Sequence, residues 1–103
     1  IILTSDFTAS AAEVLLLLTK DLPYVILVGG HTEGIFSDMY EFSLPNGWDV
    51  SLSHQQYFSL DNINYEGVGI PPDIEIINRK EDLENGHDSV LKKAIEELER
   101  RTN

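Results

Sequence analysis

Two short apolar runs with one helical segment between them open the chain. Residues 1–3 read Ile-Ile-Leu, and residues 24–28 form a second apolar run that ends before two glycines. Between them, residues 10–20 begin with Ser-Ala-Ala-Glu, the capping-box pattern of a helix N-terminus. A strand, a helix and a strand in this order predict a βαβ unit with parallel strands and a right-handed crossover. Residues 15–18 are all leucine, so we expect this helix to be buried on most of its faces.

Alternation of apolar and polar residues replaces this pattern after the first third of the chain. Two such runs, residues 39–44 and 48–52, flank Pro-Asn-Gly. Asn-Gly between alternating runs is typical of a β-hairpin. A third apolar run covers residues 56–60 and extends this β-rich region.

The C-terminal part of the chain predicts one short strand and one long helix. Residues 74–77 are the strand, and the polar residues 79–87 predict a surface loop. Residues 88–101 have apolar residues at helical spacing. Two weak i, i+4 ion pairs are expected there, Lys92 with Glu96 and Lys93 with Glu97. The predicted fold class is therefore α/β, a single domain with a βαβ unit, a β-hairpin region and a C-terminal helix.

Acidic residues far outnumber basic ones. The chain has 18 Asp and Glu against 7 Lys and Arg, a formal net charge of −11, and residues 1–72 contain a single base, Lys20. Binding to nucleic acid needs clustered Lys and Arg, so it is excluded, and an anionic membrane is disfavoured for the same reason. The absence of cysteine excludes disulfides, thiolate zinc sites and a cysteine nucleophile. Because His31, His54 and His87 share no metal-ligand spacing, we expect no metal and no cofactor.

No segment has the length or the flanks of a targeting or membrane-spanning sequence. The longest apolar run, residues 14–18, is far shorter than the roughly 20 residues that a helix needs to cross a bilayer, so we expect no direct membrane insertion. No basic region precedes the apolar residues at the N-terminus, as it would in a signal peptide. Residues 1–3 look instead like the tail of a buried strand, and we expect the chain to be a piece of a longer one.

Ser10 is the first residue whose position suggests chemistry. It would lie at the start of a helix directly after a strand, where unpaired N–H groups and the helix dipole stabilise negative charge. Small residues flank it, so a substrate backbone could approach. The local sequence by itself favours a second interpretation, in which Ser10 is a helix cap paired with Glu13, because the Ser-x-x-Glu pattern is common at helix N-termini. Lys20 cannot serve as its base, because the intervening length of helix separates the two by about 15 Å.

Two further segments place glycines beside polar residues. Residues 29–34 (Gly-Gly-His-Thr-Glu-Gly) follow a strand but lack the spacing of a dinucleotide loop and the Gly-Lys-Ser/Thr of a phosphate loop, so we reject nucleotide binding. Glu66 precedes two glycines and two prolines in residues 67–72. Such a rigid loop could hold the carboxylate in a site, although most loop carboxylates are simply exposed.

The order of these motifs along the chain resembles that of a known family. The matching segments follow one another as in the C-terminal processing (tail-specific) serine peptidases and their tricorn-like relatives; they are residues 8–13 (Thr-Ala-Ser-Ala-Ala-Glu), Thr32 and Gly34, residues 44–47 (Leu-Pro-Asn-Gly), residues 66–74 (Glu-Gly-Val-Gly-Ile-Pro-Pro-Asp-Ile) and residues 86–94 of the last helix. The resemblance covers nearly the whole chain. It implies an α/β fold that is part of a core like that of the Clp protease and the crotonases.

The resemblance also implies roles for individual residues. Ser10 matches the family's nucleophile, and the backbone N–H of Ala11 would donate to the oxyanion. The tail-specific branch has its catalytic lysine just after Thr-x-Gly, where this chain has Ile35, so a Ser–Lys pair is ruled out. The tricorn-like branch uses an upstream histidine and a glutamate that follows the serine at the same separation as Glu66 follows Ser10. Glu66 is therefore the candidate for the carboxylate that orients the histidine.

The resemblance implies a serine peptidase that acts on a peptide or protein substrate. It also implies that this chain is the C-terminal part of the catalytic domain of that peptidase. Since no histidine here matches the family's, the chain would hold about half of the active site and be inactive by itself. The family resemblance suggests a bacterial extracytoplasmic location. The alternative is a non-catalytic module that binds peptides or apolar ligands or assists assembly. Apolar surface exposed by truncation could also drive formation of a homo-oligomer.

Overall fold

A central strand with a parallel neighbour on each side forms the main sheet. The computed structural model describes all 103 residues. Strands β1 (Ile2–Thr4), β2 (Leu27–Gly29) and β5 (Ile74–Glu75) lie in the order β1-β2-β5, and both pairings are parallel. Helix α1 (Ala11–Thr19) connects β1 to β2. The predicted βαβ unit is confirmed, with a helix that begins one position later and ends one position earlier than predicted.

Two apolar cores pack against opposite faces of this sheet. The core on the α1 side has as its buried members Leu16, Leu17, Leu27, Phe36 and Ile70. The core on the side of helix α3 (Ser89–Thr102) has as its buried members Ile26, Val28 and Ala94. Successive residues of β2 contribute to different cores because side chains alternate between the two faces of a strand. The sheet is therefore covered by a helix on each side.

Helix α1 is less buried than its run of leucines predicts. Leu16 and Leu17 lie in the core, but Leu15 and Leu18 are 54% and 73% exposed. Only one face of the helix meets the sheet, and residues at 15 and 18 share the opposite face. The expectation of burial on most faces is wrong.

Residues 39–53 form a separate two-stranded sheet. Strands β3 (Met39–Ser43) and β4 (Asp49–Ser53) pair antiparallel, which confirms the predicted hairpin. Leu44 closes the turn by donating its N–H to the Trp48 carbonyl at 2.7 Å, and Gly47 between them has the positive φ that such a short turn requires. Residues 56–60, the third apolar run, form no strand.

The C-terminal third contains two helices where the sequence predicts a loop and one helix. Helix α2 (Lys80–Glu84) lies in the segment predicted to be a surface loop, and it buries no residue, so it leaves no apolar periodicity to detect. Helix α3 follows Asp88, whose carboxylate accepts hydrogen bonds from the Leu91 N–H at 2.9 Å and the Asn78 amide at 2.8 Å. None of the helices has both the length and the apolar composition to cross a bilayer.

The last turns of α3 contain an ion-pair cluster. Glu97 accepts three hydrogen bonds, two from Arg100 and one from Arg101, and none from Lys93, so the predicted pairing is wrong. The hydrogen bonds from Arg100 and then Arg101 lower the pKa of Glu97 to about 2, from an ordinary 4.5. The two arginines follow Glu97 at the i+3 and i+4 positions, where side chains are neighbours on a helix surface. An acid that precedes its basic partner is the more favourable order for such a pair.

The depressed pKa of Glu97 predicts how acid affects stability. A carboxyl with a lower pKa in the folded than in the unfolded chain stabilises the fold fully above about pH 4.5, and this contribution is lost as the pH falls toward 2. We expect Glu97→Gln to remove this part of the pH dependence. Urea unfolding at pH 5 and pH 3 measures it. Parallel losses of stability in the wild type and the variant between these pH values would contradict the assignment.

Candidate active site

A hydrogen-bonded turn connects β1 to the start of α1. The Thr8 N–H donates to the Ser5 carbonyl at 2.9 Å, and the Ser5 N–H donates to the Thr8 hydroxyl at 3.0 Å. The Ser5 hydroxyl also accepts from the Phe7 N–H at 3.2 Å. These bonds bring the next residues over the carboxyl edge of the sheet, where ligands of parallel α/β folds commonly bind. Ser10 therefore lies at this edge, as the sequence predicts.

Ser10 has an unusual backbone conformation for a residue other than glycine. Its φ is 57° and its ψ is −125°, and such conformations cost about 1–3 kcal/mol. Strained serines on a sharp strand-to-helix turn expose their hydroxyl groups as nucleophiles in α/β-hydrolases. The Ser10 side chain and the Glu13 N–H form one half of a capping box, and the Glu13 carboxylate and the Ser10 N–H form the other half. Because a capping residue ordinarily has β-region dihedral angles, capping alone does not account for the strain at Ser10.

Three hydrogen bonds of Glu13 fix the main chain around Ser10. The Glu13 side chain is fully buried, and its carboxylate accepts from the N–H groups of Gly34 at 2.7 Å, Ile35 at 2.8 Å and Ser10 at 3.2 Å. The Ser10 N–H also donates to the Ile35 carbonyl at 2.8 Å. The segment after β2 is thereby attached to the N-terminus of α1. The sequence identified Glu13 only as a capping partner and gave no signal for its contacts with this distant segment.

Glu66 approaches the same segment from the other side. Its carboxylate accepts from the Phe36 N–H at 3.0 Å, and its own N–H donates to the Asn64 side chain at 2.9 Å. The residue as a whole is exposed, so the carboxylate remains accessible to a further partner.

A single peptide group connects Ser10 to Glu66. The Ile35 carbonyl and the Phe36 N–H belong to one peptide unit, of which the first accepts from Ser10 and the second donates to Glu66. Two hydrogen bonds and the width of one peptide unit separate the Ser10 nitrogen from the Glu66 carboxylate by at most about 8 Å. The structure thus brings the two predicted site residues together although they lie in distant parts of the sequence.

The first amide of α1 is free to bind an anion. The Ala11 N–H donates no hydrogen bond within the chain, and Ala11 is exposed. The helix dipole adds positive potential at this end, because the first N–H groups of a helix have no intrahelical acceptor. This arrangement stabilises negative charge directly beside the Ser10 hydroxyl.

One of the three histidines lines the same recess as Glu66. His54 shares with it an open, polar recess of about 600 Å³, and its Nδ1 is 3.0 Å from the Asp38 carbonyl. His31 instead lines a groove of about 420 Å³ at the ends of the parallel strands, together with Phe7 and Ile77. His87 lies between α2 and α3 and lines neither. The sequence did not single out His54, since its position in the recess that contains Glu66 depends on where strand β4 of the hairpin ends.

Gly69 fixes the Glu66 loop against the segment after β2. A Cβ atom at Gly69 would lie 2.0 Å from the Thr32 carbonyl oxygen, and its φ is +81°. Thr32 is buried here. Its N–H donates to the Ile70 carbonyl at 3.1 Å, and its hydroxyl accepts from the Ile70 N–H at 2.7 Å. The loop can therefore approach this segment only if residue 69 has no side chain.

Gly69→Ala is expected to destabilise the chain far more than Gly47→Ala. Both glycines have φ near +80°, but a Cβ at Gly47 meets nothing within 4 Å. Gly47→Ala therefore introduces only backbone strain of about 1 kcal/mol, while Gly69→Ala adds a clash with main-chain atoms that cannot rotate away. Urea unfolding of both variants measures the difference. Equal losses of stability would show that the close approach at Thr32 does not matter.

The fold and this turn define an α/β protein whose candidate site lies where the strands of a parallel sheet end. The model of Peptidase family S41 matches residues 1–76, and the chain belongs to that family. This confirms the predicted resemblance to the C-terminal processing peptidases and the predicted fold class. No curated protein matches this chain.

Several solved structures share the fold. A candidate peptidase from Parabacteroides merdae is 30% identical, with a TM-score of 0.81 over 93% of this chain and 30% of its own. The tricorn protease is 24% identical, with a TM-score of 0.85 over 98% of this chain and 10% of its own. The photosystem II D1 C-terminal processing protease is 26% identical, with a TM-score of 0.61 over 74% of this chain and 20% of its own. The chain thus spans less than a third of each of these proteins.

Proposed function

We propose that the protein containing this chain is a serine peptidase in which Ser10 is the nucleophile and Glu66 orients a histidine contributed by an upstream segment. The observation that carries this proposal is the strained Ser10 at the N-terminus of α1, one peptide unit away from the Glu66 carboxylate. Membership of a peptidase family supports a peptide or protein as the substrate.

The distance between the two residues fits an intervening imidazole. A histidine ring held between two hydrogen bonds of about 2.8 Å spans roughly 8 Å from hydroxyl to carboxylate. The Ser10 backbone nitrogen lies at most about 8 Å from the Glu66 carboxylate, which is compatible with this span, and the exposed carboxylate has an oxygen free to accept the second bond. The carboxylate would fix the ring orientation and stabilise the imidazolium that forms during the reaction.

The reaction follows from these positions. The histidine removes the proton of the Ser10 hydroxyl while Oγ forms a bond to the peptide carbonyl carbon, and the carbonyl oxygen becomes an oxyanion held by the Ala11 N–H. The imidazolium then gives its proton to the departing amine as the C–N bond breaks, which leaves an acyl-enzyme. In the second half, water gives a proton to the same histidine and attacks the acyl carbon. The imidazolium then returns this proton to the Ser10 Oγ as the acyl C–O bond breaks and the second product leaves.

Neither position 35 nor Lys20 supplies the base of the alternative Ser–Lys mechanism. Position 35 is isoleucine, and its main chain is already bound to Glu13 and Ser10. Lys20 lies at the far end of α1 and forms an ion pair with Asp21 at 2.8 Å. Partial burial lowers the pKa of Lys20, but Asp21 and Tyr65 raise it more, so its net pKa lies above the ordinary value and it is a poor base.

Labelling with a serine-directed fluorophosphonate tests the proposal. We expect the full-length protein to form a covalent adduct that mass spectrometry locates on Ser10, and the isolated chain to react at least a hundredfold more slowly because it lacks the histidine. Binding of a peptide without any adduct or hydrolysis in the full-length protein would favour the non-catalytic binding module. An adduct on a serine other than Ser10 would overturn the assignment of the nucleophile.

A further inference from the structure

We propose that Glu13 is a positioning residue that fixes the distance between Ser10 and Glu66. This inference rests on the proposed peptidase function, which gives that distance its meaning. A helix cap needs one hydrogen bond to one N–H group, whereas the Glu13 carboxylate accepts three, two of them from residues 34 and 35. The side chain therefore connects the helix to the segment that holds Glu66.

The burial of Glu13 argues for such a role. A carboxylate without exposed surface loses several kcal/mol of hydration unless it is fully paired. No Lys or Arg forms an ion pair with Glu13. Its three partners are all backbone N–H groups, one of them at the positive end of α1, so the backbone alone compensates the buried charge. Both carboxylate oxygens accept hydrogen bonds. A glutamine side chain has the same shape but only one acceptor oxygen, so it cannot accept all of these bonds.

The contacts of Glu13 form a closed ring with Ser10 and Ile35. Glu13 accepts from the N–H groups of both residues, and Ser10 donates also to the Ile35 carbonyl. The peptide unit that begins with this carbonyl ends with the Phe36 N–H, which holds Glu66. Any movement of Ile35 away from α1 therefore changes the gap between Ser10 and Glu66 that the histidine must fill.

Glu13→Gln in the full-length protein tests this role. The amide keeps one acceptor oxygen but turns an NH₂ group toward N–H donors, so at least one of the three hydrogen bonds is lost. We expect kcat to fall about a hundredfold with little change in KM, since a displacement of about 1 Å in catalytic groups has this effect. We also expect faster amide exchange at Gly34 and Ile35 under conditions in which the protein remains folded.

Glu97→Gln is the matched control. Glu97 is also buried and also accepts three hydrogen bonds, but they come from arginines at the opposite end of the chain. This variant should lose stability while kcat per folded molecule stays unchanged. If Glu13→Gln behaves in the same way, Glu13 is structural and the proposal is wrong. A full-length protein without peptidase activity would refute the proposed function. The effect of Glu13 on amide exchange at Gly34 and Ile35 can be measured even then, because amide exchange does not depend on catalysis.

Discussion

Ser10→Ala is expected to abolish both fluorophosphonate labelling and peptide hydrolysis in the full-length protein. The nucleophilic oxygen is removed, and loss of a triad serine lowers kcat by roughly a millionfold in a comparable enzyme. The chain should remain folded, because losing the capping contact of the Ser10 side chain costs only about 1 kcal/mol and alanine meets the same backbone strain as serine. Hydrolysis of a peptide substrate and mass spectrometry of the labelled protein provide the two measurements.

Two companion variants separate the nucleophile from its surroundings. Ser5→Ala changes an exposed serine in the same turn, where it loses only a hydrogen bond from the Phe7 N–H, and should retain activity. Ser10→Gly should be as inactive as Ser10→Ala but more stable by about 1 kcal/mol, because glycine adopts a positive φ without strain. Hydrolysis that persists in Ser10→Ala would contradict the serine mechanism.

Glu66→Gln is expected to lower kcat by about ten-thousandfold while stability changes little. The glutamine oxygen can still accept the Phe36 N–H, so the loop stays in place. The lost negative charge matters because the oriented histidine then adopts the wrong tautomer and its protonated form is no longer stabilised; the corresponding Asp→Asn change in a serine protease has an effect of this size. Kinetics with a peptide substrate and thermal unfolding measure the two quantities.

The control for Glu66 is Glu33→Gln, which changes another exposed glutamate of the neighbouring segment whose side chain forms no hydrogen bond. It should leave kcat unchanged. His54→Ala should also leave kcat unchanged, because the proposed histidine comes from upstream. A large loss of activity in His54→Ala together with normal activity in Glu66→Gln would place the base within this chain and remove Glu66 from the mechanism.

Local patterns along the chain were sufficient for most of the fold. The capping box before α1, the apolar run of β2 and the Asn-Gly turn each depend on neighbouring residues, and the βαβ unit and the hairpin formed as predicted. Helix α2 was missed because a short helix that buries nothing has no periodic apolar residues. The exposure of Leu15 and Leu18 was also missed, since a sequence does not state how many faces of a helix have a neighbour.

The sequence named Ser10, Ala11 and Glu66 through its resemblance to a known family, because the order and spacing of the family's motifs are visible without a structure. Only the tertiary structure showed the positive φ of Ser10 and the peptide unit that joins it to Glu66. It also showed that Glu13, which the sequence describes as a cap, holds the segment after β2 against α1. These features depend on hydrogen bonds to backbone N–H groups far away in the sequence, which leave no trace in side-chain identity or spacing.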